Sequence, residues 1–190
     1  MTRWRVLVVL ALAPLAVAAC GGDDEPAVSS SPSTAAADRN QADVEFAQGM
    51  IPHHEQAIEM ADLAPTRAVS PEVKDLAERI TAAQGPEIET MRQWLEDWGE
   101  EVPSGMESSM GSGMMSDQEM GDLEAATGEE FDRMFLEMMK GHHQSAIEMA
   151  QTELDEGENA DAKDLAQAII DTQQAEIEEI DGLLAAMGDG

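Results

Sequence analysis

Shifting the sequence against itself by 89 residues superposes its two halves without a gap, and this duplication constrains the fold more than any other feature. "PHHEQAIEM", beginning at Pro52, falls on "GHHQSAIEM", beginning at Gly141. "AIEMA" falls on itself, "KDLA" at Lys74 on "KDLA" at Lys163, and Asp43, Phe46 and Met50 on Asp132, Phe135 and Met139. Further on, Ile80, Gln84, Glu87, Ile88 and Glu89 fall on Ile169, Gln173, Glu176, Ile177 and Glu178. Each half contains two apolar stretches of helical period, so each is predicted to be a helical hairpin. Two such hairpins related by a pseudo-two-fold close an all-α, ferritin-like four-helix bundle. A strand-based fold is hard to reconcile with this period in a chain with three Phe, three Trp and no Tyr.

Local signals divide the bundle over residues 41–190. The first hairpin is expected over 41–99, a Met-rich loop over 100–127 and the second hairpin over 128–188. The first helix is expected from Gln41 to Ala64, closed by Pro65, and the second from Pro71 to Trp98 with Ser70 as its N-cap. "SDQE" from Ser116 and "TGEE" from Thr127 are capping-box patterns, predicting a short helix and then the third long helix, which ends near Asp155. The fourth long helix is expected from Ala160 to Met187.

The first 19 residues carry a basic start, an apolar run too short to favour a membrane span and the small-residue stretch "VAAC" ending in Cys20. They are expected to be a signal peptide, and "VAAC" resembles the lipobox of bacterial lipoproteins. This implies a lipid on Cys20, a flexible tether over 20–40 and a location on the outer face of the cytoplasmic membrane. Cys20 is the only cysteine, so the mature fold is expected to contain neither a disulfide nor a thiolate ligand. A net charge of −30 repels phosphate backbones and anionic headgroups and attracts cations, which argues against nucleic acid as a partner.

All four histidines lie at the duplicated point, as His53, His54, His142 and His143. At about 100° per residue, Met50, Ala57 and Ala61 mark the centre of one face of the first helix. His53 and His54 flank that centre, Met60 lies on the His53 edge, and Glu55 and Glu59 fall on the far, solvated face. Met139, His142, His143 and Met149 repeat the arrangement. In the next helix, Glu87 interrupts the apolar stripe of Leu76, Ile80, Ala83, Met91, Trp94 and Trp98; Glu176 does the same in the last. A carboxylate so placed needs a partner, and a histidine of the neighbouring helix is the expected one. Pro52 and Gly141 are expected to loosen the turn bearing each His pair, bringing the two imidazoles nearer one centre.

Two readings of these groups stand side by side. In one, His and Glu form a buried network that fixes helix register, with Met as adaptable core. In the other, His and Met ligate a metal while Glu87 and Glu176 either ligate it or orient an imidazole. Ferritin-like di-iron bundles use Glu-x-x-His, whereas here Met stands three residues before His53 and His142, and thioethers suit Cu(I) or the similar Ag(I). Met106, Met110, Met114, Met115 and Met120 form an auxiliary methionine series in the loop, read either as a copper-collecting tract or as packing over the bundle.

The repeated Met-x-x-His-His followed by Ala-Ile-Glu-Met-Ala, with "QGPEIETMRQWL" in the next helix, resembles a bacterial domain-of-unknown-function family with a ferritin-like bundle, the CopM-like copper-binding proteins. The resemblance covers about Asp43 to Met187. It implies a four-helix fold, an extracytoplasmic location and, for some members, copper binding through His and Met. Carried over residue by residue, the candidate ligands are Met50, His53, His54 and Met60 in the first half and Met139, His142, His143 and Met149 in the second. The halves depart from each other where Ser145 stands opposite Gln56 and Gln144 opposite Glu55.

The function expected from these features is a lipid-anchored, non-enzymatic protein that sequesters Cu(I). A di-metal oxidase in the same bundle is one alternative, disfavoured by the missing Glu-x-x-His pairs. A non-catalytic envelope module that binds a protein partner is another.

Overall fold

The computed structural model describes residues 39–104 and 113–188. These form five helices: α1 (Gln41–Arg67), α2 (Pro71–Trp98), α3 (Asp117–Ala125), α4 (Glu129–Glu156) and α5 (Ala160–Gly188). Helices α1 and α2 form one hairpin and α4 and α5 the other; the hairpins meet chiefly through α1 and α4, giving the four-helix bundle that the duplication predicts. The expected signal peptide and Cys20, together with Met106 and Met110, lie outside the described residues. Among the described residues, no helix is long and apolar enough to cross a membrane.

Helix starts follow their chemistry. Asn40 closes a capping box with Asp43 on α1, and Ser70 caps α2 ahead of Pro71. Ser116 and Glu119 form the box expected on α3. Two boundaries depart from expectation. Pro65 does not close α1, which runs on to Arg67, because a proline within the final turn removes only one hydrogen bond. Thr127 does not cap α4. Gly128 does, with φ 67° and no side-chain cap, and its N–H donates to the Arg67 carbonyl at 2.8 Å, tying the start of α4 to the end of α1.

Packing divides the bundle into two apolar ends. One joins the second half of α1 and the first half of α2 to the first half of α4; it holds Met60, Leu76, Ile80, Phe131, Phe135 and Met139. The other joins the opposite halves of those helices to the first half of α5 and holds Phe46, Met50, Ile51, Met91, Leu95 and Ile169. Each of these buried side chains is worth about 1.5–3 kcal/mol relative to exposure. Helices α1 and α4 therefore run antiparallel, and the histidines, Gln84, Gln173, Glu87 and Glu176 fall in sequence between residues of the two clusters.

Buried aspartates tie one hairpin to the other. Asp132 of α4 accepts hydrogen bonds from the Val69 and Ser70 N–H groups of the α1–α2 turn, at 3.1 and 2.8 Å. Its counterpart Asp43 does the same for Glu158 and Asn159 in the α4–α5 turn, at 3.1 and 2.8 Å. At the Asp43 end the symmetry breaks. Glu153, which is 1 % exposed, stands where the first half has Ala64. Burial, and then the hydrogen bond and charge of Asp43, push the Glu153 carboxyl up to about 8, against a smaller opposing pull from Lys163. Burial also presses Asp43 upward, but the N–H groups of Asn40 and Asn159, the Glu153 carboxyl and the Glu158 N–H together hold it below its ordinary value. Both Glu153 oxygens are buried without a hydrogen-bond donor, and a proton held on Glu153 would let it donate to the Asp43 carboxylate.

The consequence for stability has a definite sign. Between pH 4.5, the ordinary glutamate value, and about 8, the folded chain holds a proton that the unfolded chain has released. Stability contributed by this pair is complete below that window and lost as pH rises through it. Glu153→Gln is expected to flatten the alkaline decline in melting temperature, read by circular dichroism across the window; a decline as steep as that of the parent protein would refute a proton held on Glu153.

Candidate metal centre

Neighbouring residues on an α-helix diverge by about 100°, and each His pair uses that divergence to reach two different helices. His53 of α1 meets His142 of α4, ring centroids 3.7 Å apart and planes inclined by 37°. Because 142 − 53 = 89, this contact lies on the pseudo-two-fold axis itself. The other member of each pair turns to its own hairpin: His54 Nε2 lies 2.8 Å from Glu87 Oε2, and His143 Nε2 lies 2.7 Å from Glu176 Oε2. Histidines do partner the two stripe carboxylates, as expected.

The route differs from the one expected of Pro52 and Gly141. Both lie inside helices that remain α-helical through the His-bearing turn, and a Cβ at Gly141 would meet nothing within 4 Å. The imidazoles of one pair are therefore not drawn together by a distorted turn; cross-helix packing assembles them instead. Pro52 is buried and leaves the Gln48 carbonyl without its helical donor.

All four imidazoles are buried. An ionised carboxylate only accepts hydrogen bonds, so in the neutral imidazole Nε2 of His54 and of His143 carries the hydrogen and Nδ1 presents its lone pair. Neither of those Nδ1 atoms has a hydrogen-bond partner, and the same holds for both ring nitrogens of His53 and of His142. Burial holds His53 down to about 3, with His54 and His143 nearby adding to the effect. Burial likewise presses His142 well below its ordinary value, with His53, His143 and His54 adding to it and the His53 backbone weakly opposing. Both rings are therefore neutral near pH 7 and offer lone pairs to a cation. These orphaned nitrogens fit a soft metal. Among the described residues, however, no three His, Cys, Asp or Glu side chains are grouped so as to hold an ion by themselves. Thioether sulfur would have to complete such a centre.

Methionines surround this layer. Met50, Met60 and Met139 are fully buried, whereas Met149 is half-buried, its Cε 3.1 Å from where a Cβ on Gly49 would stand. Met50 belongs to one apolar end and Met139 to the other, so the two Met-x-x-His turns place sulfur on opposite sides of the His layer. Of the loop methionines, Met115 and Met120 pack into the apolar end that contains Phe131, and Met114 is half-buried. Glu55 and Glu59 are not on a fully solvated face: Glu55 pairs with Arg92, and burial and the charge of Glu124 raise the Glu59 carboxyl.

The departure of Ser145 from Gln56 has a physical cause. The Gln56 amide exchanges two hydrogen bonds with the Met115 backbone, at 2.9 and 2.7 Å. A Cβ on Gly113, whose φ is +90°, would stand 2.0 Å from Ser145 Oγ. One half supplies a long amide that holds the loop, and the other a small residue that admits it. Gln84 and Gln173, each 2 % exposed, were missed as members of the central layer. Both atoms of the Gln84 amide and the Gln173 carbonyl oxygen lack partners. The signal was available, since an amide repeats at this position in both halves.

A duplicated antiparallel bundle whose central layer holds paired imidazoles, carboxylates and flanking thioethers defines a helical protein with a candidate soft-metal centre. Residues 43–184 match the model of the domain of unknown function DUF305, and the chain belongs to that family. Among solved structures, a DUF305 protein from Streptomyces coelicolor is similar at 31 % identity and a TM-score of 0.72, covering 77 % of this chain and 92 % of the other. A DUF305 fragment from Deinococcus radiodurans is similar at 32 % identity and a TM-score of 0.70, covering 77 % and 97 %. CopM in its Cu(II)-bound form is similar at 34 % identity and a TM-score of 0.68, covering 76 % and 97 %; CopM has also been solved with Cu(I) and with Ag bound. No functionally curated protein matches the sequence.

Keeping His53 and His142 neutral has its own pH signature. Between about 3 and 6.5 the unfolded chain binds protons at His53 that the folded chain refuses, so stability is full above that window and falls as pH drops through it. The metal-free protein is expected to lose melting temperature on acidification, and His53→Asn combined with His142→Asn to make that loss shallower. An unchanged slope would show that these rings do not titrate between the two states.

Proposed function

We propose that this protein is a lipid-anchored, extracytoplasmic metal-binding protein that sequesters Cu(I), or Ag(I), through His and Met. One observation carries the reading: six imidazole nitrogens are buried without a protein partner where the two hairpins of a CopM-like bundle meet. Buried polar atoms are ordinarily satisfied; a neutral imidazole offers one lone pair, so four of these nitrogens can meet a cation, while one nitrogen each of His53 and His142 keeps its hydrogen. Nδ1 of His54 and of His143, with nitrogens of His53 and His142, would supply the imidazole donors. Met50, Met60, Met139 and Met149 would supply sulfur. Glu87 and Glu176, holding the opposite nitrogen of their histidines, would fix ring orientation and raise donor basicity.

Neutral nitrogen and thioether donors suit monovalent soft ions, and Met in place of the Glu of each Glu-x-x-His removes two of the four carboxylates of a di-iron oxidase site, leaving Glu87 and Glu176 engaged with His54 and His143. We therefore read the role as holding metal rather than turning over substrate. The acidic surface draws cations toward the domain.

Titration of the full-length protein with Cu(I), and separately with Ag(I), is expected to raise its melting temperature with ion concentration, by about 2.7 kcal/mol of stabilisation at a hundredfold excess over Kd. His53→Ala combined with His142→Ala is expected to weaken binding at least about tenfold. Equal stoichiometry and affinity in the two proteins would reject the histidine centre, and stoichiometric iron with oxygen consumption would favour the oxidase instead. For the anchor, Cys20→Ser is expected to shift the protein from the membrane to the soluble fraction; continued membrane retention would reject lipidation at that residue.

A further inference from the structure

The duplication supplies each end of the bundle with a reference for the other, and at one position the ends differ sharply. Beside the α1–α2 turn lies an open groove of about 890 Å³ lined by Val69, Val73, Leu136, Leu183 and Met187, with Glu72, Glu129 and Glu130 among its acidic residues. Leu183 and Met187 correspond by the 89-residue shift to Trp94 and Trp98. There the two indoles stack, 6.0 Å apart and 18° from parallel, and the Arg39 guanidinium sits 5.6 Å over Trp98 while donating to the Trp98 carbonyl at 3.0 Å. The chain thus fills one end with an indole pair under a guanidinium. At the other it provides smaller side chains and no such cation, since Gly128 stands in the place of Arg39.

The surrounding residues change in both directions: Val44 and Asp97 at the filled end become Arg133 and Ala186 at the open one. Asn40 and Gln41 at the filled end become Glu129 and Glu130 at the open one, both exposed, and Glu158 becomes Val69. Val69 is 59 % accessible and is the exposed large hydrophobic residue of the described chain. Arg133, the cation lining the groove, reaches the Met187 carbonyl at 3.3 Å, so its charge is directed at the end of α5. An apolar floor beside unpaired carboxylates is complementary to an aromatic ring next to a positive charge.

We propose that this groove is a docking site for a partner protein segment that presents an aromatic side chain beside a basic one, reproducing in trans what Trp98 and Arg39 do in cis at the opposite end. It is separate from the histidine layer, and its test needs no metal. The probe is a fluorescein-labelled, capped peptide with one tryptophan between two arginines, titrated against the full-length protein and followed by anisotropy. Saturable binding is expected, weakened at least about tenfold (1.4 kcal/mol) when the peptide tryptophan is replaced by alanine. The same loss is expected when the groove is filled by Leu183→Trp with Met187→Trp. Circular dichroism of that variant checks that the bundle is intact. Independently of its folding, Glu129→Gln with Glu130→Gln, confined to exposed positions, is expected to weaken binding and to reduce its salt dependence. Absence of saturable binding overturns the proposal, as does equal binding of the alanine peptide or binding that survives in a folded, groove-filled variant. Self-association of the protein abolished by filling the groove would also overturn it, assigning the surface to a second copy of the chain.

Discussion

A buried imidazole nitrogen needs a partner, and the central layer of this bundle leaves six of them without one. The rest of the architecture accommodates that layer. Glu87 and Glu176 each engage one nitrogen of a fully buried histidine, fixing the tautomer and leaving the other nitrogen free. Apolar clusters above and below, with their stacked phenylalanines and buried methionines, supply the packing that offsets the cost of the unsatisfied groups. Removing the polar layer would leave an ordinary four-helix core; removing the clusters would leave nothing able to keep the rings dry and neutral.

Because the two halves share one plan, each departure from symmetry marks a local demand. Gln56 and Ser145 differ because the connecting loop must be gripped on one side and admitted on the other. Glu153 stands where the first half has Ala64, and its burial beside Asp43 favours the protonated carboxyl, so only one of the two hairpin-to-hairpin clamps carries an extra carboxyl. The tryptophan pair closes one end of the bundle while its leucine and methionine counterparts leave the other open. The shared features, in contrast, are those on which the bundle itself stands: the aspartate clamps, the His–Glu pairs and the glutamines of the layer.

Much of the fold could be read directly. Helix period, the 89-residue repeat and the caps at Ser70 and Ser116 are carried by residue type and spacing alone, and such signals survive in a linear string. Elsewhere a distant contact overrides local chemistry. Gly128 displaced Thr127 as a cap because its amide bonds to Arg67, sixty-one positions earlier in the chain. Glu59 and Glu55 left the solvated face because Glu124 of α3 and Arg92 of α2 come to lie beside them. Pro52 suggested a distorted turn, a local explanation for a convergence that packing achieves between helices.

The sequence by itself determined that this chain is a duplicated helical bundle with every histidine at one repeated point, since both facts depend only on composition and spacing. It also required that Glu87 and Glu176 have partners, because a carboxylate on an apolar stripe is costly anywhere. Only the tertiary structure decided which histidine takes the carboxylate and which crosses to its mate. Adjacent helical residues point about 100° apart, and the choice between the two directions depends on where the second hairpin packs. The open groove was decided in the same way: Leu183 and Met187 are apolar residues of helical spacing, and only the packing of the bundle end leaves them lining an open surface.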